Sequence, residues 1–143
     1  MRLSNEWPAW MSGVLLVTLA VAGCGARATR TPVEGILRVD GKPVPQGLKV
    51  VFTPDTKDGE PCVGVTNDKG RYVMYARPGM KGLPPGRYTV AIPMPGDGEG
   101  ASLILPPELA NITIPDRYRP GRSTLVCDVR WGGTVYDIDV TSE

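Results

Sequence analysis

Short runs of β-favouring residues, each closed within a few positions by Gly, Pro, Asn or Asp, fill the chain from Val33 onward. That pattern belongs to an all-β sandwich or barrel. Seven runs stand out, at 33–39, 48–53, 62–66, 71–75, 86–92, 124–129 and 134–140, and no segment carries a helical apolar stripe. Alternation at a period of two assigns inner faces. Leu48, Val50 and Phe52 share one, as do Tyr72 and Met74, then Tyr88, Val90 and Ile92, then Leu125, Cys127 and Val129, and finally Tyr136, Ile138 and Val140. The turn Asn67-Asp68-Lys69-Gly70 predicts a hairpin between the third and fourth runs, with Gly70 taking a positive φ. Arg130-Trp131-Gly132-Gly133 predicts a second hairpin, between the last two runs.

The 143 residues suffice for one domain with a single core. Lys and Arg number 16 against 15 Asp and Glu, a net charge of +1, so there is no electrostatic footprint for nucleic acid. The chain has no histidine. That removes Ser-His-Asp and Cys-His catalysis, the commonest zinc ligand and the usual general base near neutral pH. No enzyme, metal site or cofactor is expected.

Ahead of the β-rich part lies a different kind of sequence. Arg2 gives a thin positive start, Trp7 and Trp10 flank an apolar run over residues 11–23, and the run ends in Val21-Ala22-Gly23-Cys24. The run is too short for a bilayer span, which needs roughly 20 apolar residues, and it suits the core of a secretion signal. The alternative is an uncleaved anchor or a buried helix. Val21-Ala22-Gly23-Cys24 resembles the lipobox of bacterial lipoproteins. The resemblance implies cleavage after residue 23, acylation of Cys24 and residence in the cell envelope, anchored through the acyl chains. Residues 24–32 then read as a lipidated tether, small and polar. Gly25 is not acidic, which under the same resemblance favours the outer membrane.

The β-rich part carries its own resemblance. Val33-Glu34-Gly35 with Asp40-Gly41-Lys42-Pro43-Val44, then residues 65–72, then Pro85-Gly86-Arg87-Tyr88-Thr89-Val90, resemble in order the turns of carboxypeptidase-regulatory-like, transthyretin-like domains. Ile114-Pro115-Asp116-Arg117-Tyr118 and the last two runs resemble the close of small bacterial lipoproteins that carry this domain. The resemblance implies a seven-stranded Greek-key β-sandwich over residues 33–143, without catalysis of its own. The active relatives depend on a separate metal domain or on histidines and a terminal Tyr-Arg-Gly-Ser, and this chain ends Val140-Thr141-Ser142-Glu143.

Four expectations follow for sites. Cys24 is the lipidation site. Cys62 and Cys127 form either a disulfide, as an oxidising compartment invites, or two separate buried thiols. Tyr75, Tyr118, Arg119 and Trp131 fall in or beside loops and strand ends, where they either contact a ligand or cover the ends of the core. Residues 93–120 form a connection long enough to be functional, apolar in part and therefore packed in part on the domain. The expected role is a membrane-anchored, structural or adhesive module meeting an envelope protein or glycan. The second reading is a carbohydrate- or peptide-binding module using residues 93–120.

Overall fold

The computed structural model describes residues 29–94 and 107–143. They form an all-β domain of ten strands: β1 (Val33–Val39), β2 (Lys42–Pro43), β3 (Lys49–Pro54), β4 (Cys62–Val65), β5 (Arg71–Arg77), β6 (Met80–Lys81), β7 (Gly86–Ala91), β8 (Leu125–Val129), β9 (Thr134–Val135) and β10 (Ile138–Val140). One short 3-10 turn, Asp116–Tyr118, interrupts them. No helix among the described residues is long and apolar enough to cross a membrane. The main path runs β10-β1-β5-β4-β3-β7-β8, with β2 and β9 also on β1 and β6 on β5.

Each of the seven runs read from the sequence contains a strand or, for the last, two short ones. Inward residues follow the alternation: Leu48, Val50 and Phe52 are buried, as are Tyr72 and Met74, Tyr88, Val90 and Ile92, and Ile138 and Val140. Asn67 makes the predicted turn before β5. Its side-chain oxygen accepts from the backbone N–H of Lys69 and Arg71, both at 3.0 Å, and Gly70 sits at φ 74°. A side chain at Gly70 would meet the Leu37 carbonyl at 2.8 Å, so this position needs glycine twice over.

The last hairpin is corrected. β8 pairs with β7, Tyr88 opposite Cys127, whereas β9 and β10 leave β8 and run parallel along β1. Val33 lies opposite Thr134, and Leu37 opposite Ile138. Gly132 and Gly133 both hold positive φ, 91° and 108°, and carry the chain across rather than back. Between β9 and β10 the Ile36 N–H donates to the Asp137 carboxylate at 2.9 Å, so a side chain completes the ladder where the strand breaks.

The sheet curls because one ring is met from several strands. Phe52 of β3 lies 6.3 Å from the Tyr72 ring of β5, 6.1 Å from Tyr88 of β7 and 6.1 Å, edge on, from Tyr136 in the β9–β10 link. β7 adjoins β3, but Tyr72 stands two strands away and Tyr136 lies beyond β1, so these rings reach one centre only if the sheet wraps around it. The Tyr72 hydroxyl donates to the Tyr136 carbonyl and satisfies that buried phenol. Residues 107–120 contribute Leu109 and Ile114, both buried, so the described part of the long connection packs on the core.

Candidate functional site

Cys24, residues 1–23, the start of the tether and residues 95–106 lie outside the described residues. The other two cysteines are free and buried, the second of the two alternatives. Register gives the reason. Cys62 faces Phe52 across β4–β3, Cys127 faces Tyr88 across β8–β7, and β3 and β7 lie between them. Three inter-strand spacings are about 14 Å along the sheet, and a disulfide needs Cα atoms within about 7 Å. The Cys62 thiol donates to the Glu60 carbonyl at 3.6 Å.

Burial holds both thiols neutral. It pushes Cys127 up to about 11 and raises Cys62 above the ordinary thiol value. Burial likewise raises Tyr88 to about 12 and lifts Tyr72 further. A folded state that holds a proton more tightly than the unfolded chain is stabilised below the unfolded pKa and loses that contribution as pH rises through the folded one. For Cys127 the window runs from 9.0 to about 11, and for Tyr88 from 10.0 to about 12. Melting temperature is therefore expected to stay level between about pH 6 and 8 and to fall steadily above about pH 9. At pH 8 an aromatic disulfide reagent should find no reactive thiol among Cys62 and Cys127 in the native protein and both of them in denaturant. A level melting curve through pH 11, or native reactivity of either thiol, would contradict the burial.

The four proposed contact residues separate into two groups. Tyr118 and Arg119 lie by the end of β10. The Arg117 guanidinium donates to the carbonyl and hydroxyl of Thr141 at 2.8 and 2.6 Å and stacks 5.0 Å over the Tyr118 ring. Tyr118 meets the Thr141 hydroxyl at 3.4 Å, and this contact, with Arg117, lowers its phenol below the usual value. Arg119 and Arg122 both bind the Asp116 carboxylate, at 3.0 and 2.8 Å. Trp131, 64% exposed, occupies the turn that leads to Thr134, which is paired with Val33 at the start of β1. Tyr75 stands on the outer face of β5 opposite Val63 and bridges to Gly82. The seven residues of β1, about 20 Å of strand, separate the Tyr118 group from Trp131 and Tyr75. Tyr118 and Arg119 are engaged with the domain itself, and the four do not form one surface.

Sequence reasoning missed one concavity. It is an open cleft of about 630 Å³ at the end where the chain enters the domain. One wall is Thr29 and Arg30; the others come from the β3–β4 loop, from β5–β6 and from the stretch leading into β7. The entering chain is fixed there by two backbone bonds, Thr31 N–H to Leu83 O at 2.8 Å and Leu83 N–H to Thr31 O at 2.9 Å. Cys62 and Tyr88 lie at the base, and the Tyr88 hydroxyl donates to the Pro84 carbonyl at 2.7 Å. Four separate segments build the cleft, so no local motif announces it. Among the described residues no cluster of His, Cys, Asp or Glu is placed to hold a metal ion.

No family model matches the chain, and a search of curated proteins returns no match. Among solved structures, the crystal structure of a DUF3823 family protein from Bacteroides ovatus aligns with a TM-score of 0.47 at 20% identity, over 78% of this chain. The chain spans 44% of the length of that protein.

Proposed function

We propose that this protein is a membrane-anchored, non-enzymatic lipoprotein of the cell envelope whose β-domain serves a structural or adhesive role. The observation that carries the reading is Val21-Ala22-Gly23-Cys24 at the end of a short apolar run. Three acyl chains, the number borne by lipoproteins of this type, give a lasting hold, since each buried methylene contributes about 0.8 kcal/mol. The way the chain enters the domain supports the same reading. Thr31 is already fixed to Leu83, and Thr29 follows Cys24 by only five residues, which span at most about 17 Å. The domain would then ride close to the bilayer on a short tether. We read the curled sheet as a transthyretin-like seven-stranded Greek-key sandwich, a reading supported by the order of its turns and by rings from β3, β5 and β7 meeting at one centre.

The second reading, a glycan- or peptide-binding surface on residues 93–120, draws on the hollow between Pro93, Asp116 and Arg119. It is weakened by the commitment of Arg119 and Arg122 to Asp116. Radiolabelled palmitate tests the leading reading. The wild-type chain is expected to take up label and the Cys24→Ser chain none, with its envelope-bound fraction falling at least tenfold. Label that survives Cys24→Ser would sink the proposal.

A further inference from the structure

We propose that the cleft beside Thr29 and Arg30 is a binding site for a small molecule carrying an oxyanion, carboxylate or phosphate, on a compact apolar body. Its volume, about 630 Å³, lies within the range of small-molecule sites, which are mostly apolar with a few polar groups that fix orientation. Its apolar surface includes Met80, Ala76, Pro84 and Tyr88.

An account of the polar groups points to a missing acceptor. Three arginines, Arg30, Arg77 and Arg87, are among the lining residues of the cleft. Arg77 is satisfied by Glu60, through Nη2 at 3.1 Å and Nε at 3.3 Å. Arg30 and Arg87 form no ion pair among the described residues, and Asp58 is the one other carboxylate in the lining. Arg30 Nε is shielded from solvent and has no partner. Buried N–H donors are almost always paired, so an orphan here needs an explanation.

Several acceptors of the lining are already in use, while among the described residues the Asp58 carboxylate pairs with none of the three arginines. Glu60 Oε2 accepts from Arg77, the Glu60 carbonyl from Cys62, the Pro84 carbonyl from Tyr88, and the carbonyls of Thr31 and Leu83 from each other's N–H. A guanidinium fork matches the paired oxygens of a carboxylate or phosphate better than a neutral acceptor. An oxyanion would complete Arg30, offset the single positive charge by which the three arginines exceed Asp58 and Glu60, and rest its apolar part over Tyr88. The buried Cys62 thiol is held neutral, so the arrangement is one for binding and not for nucleophilic attack. The inference does not depend on acylation of Cys24.

The test uses the mature protein in a neutral detergent, titrated calorimetrically with benzoate, phenyl phosphate, inorganic phosphate and the neutral benzamide. Arginine Nε–H resonances are followed in parallel. Saturable binding of benzoate or phenyl phosphate is expected, with benzamide weaker by about tenfold and the Arg30 Nε–H resonance shifting with occupancy. The better of the two anions identifies the group, and inorganic phosphate, lacking the apolar body, should bind more weakly than phenyl phosphate. Arg30→Gln and Arg87→Gln are each expected to weaken binding about fivefold or more at unchanged melting temperature, and Arg122→Gln, outside the cleft, to leave it unchanged. Three results would overturn the proposal: benzamide binding as well as the anions, wild-type affinity in both cleft variants, or no saturable binding by a protein whose spectra show it folded. The unmutated protein's Arg30 resonance decides the matter even if a variant proves unstable.

Discussion

Replacing Phe52 with alanine is expected to cost the domain about 3–5 kcal/mol, the range for deleting a fully buried aromatic side chain. Phe52 is the single phenylalanine of the chain and is entirely buried. Its ring is the common neighbour of Tyr72, Tyr88 and Tyr136, so its loss opens a space bounded by β3, β5, β7 and the β9–β10 link. Those walls are held by backbone ladders, including Phe52 opposite Cys62 and Val90, and cannot close inward without breaking them. A domain of this size has about 5–15 kcal/mol to lose, so most of the margin would go. Urea unfolding measures the effect. Val65→Ala, on the exposed face of β4, is the control and should shift stability by about 0.5 kcal/mol or less. A loss below about 1 kcal/mol for Phe52→Ala would show that the aromatic centre is not the core.

Gly35→Ala is expected to cost about 3 kcal/mol, the upper end for over-packing, for a different reason. Gly35 does not sit in the left-handed region, so backbone conformation is not at issue. A methyl group there would overlap the Tyr136 carbonyl and lie 2.8 Å from the Tyr72 hydroxyl. The obstacle is backbone, which cannot rotate aside. Relief requires the β9–β10 link to move off β1, and that movement takes away the acceptor of the buried Tyr72 hydroxyl. Hydrogen exchange should therefore show the Tyr136 amide, which donates to Glu34, losing protection before the amides of the β3–β7 ladder. Gly79→Ala separates sterics from conformation. Gly79 has φ 77° and open space around it, so about 1 kcal/mol of left-handed strain is all it should cost. Equal costs at the two positions, or uniform loss of protection, would contradict the close approach at Gly35.

The strands and most of their inner faces were legible because alternation is local. Tyr88, Val90 and Ile92 could be assigned without knowing what β7 pairs with. The partner of the last strands was not legible. Trp131-Gly132-Gly133 has the composition of a hairpin turn, and whether two positive-φ glycines return the chain to β8 or send it to β1 depends on what lies beside β1. Cys62 was ambiguous because β4 carries apolar Val63 and Val65 outward while Gly64 shares the inner side with Cys62. The relation of Cys62 to Cys127 required the register of three strand pairs. The cleft was hidden for the same reason, since Glu60, Arg77 and Arg87 become neighbours only through the β3–β4, β4–β5 and β3–β7 ladders, and Arg30 joins them only through the Thr31–Leu83 bridge.

The measurement that tests the anchoring claim most directly is the mass of the N-terminal peptide of the protein extracted from its own membranes. The account predicts a peptide that begins at Cys24 and carries acyl chains, with Cys62 and Cys127 recovered as unmodified thiols. A protein that begins elsewhere, or whose Cys24 is recovered without lipid, would contradict it.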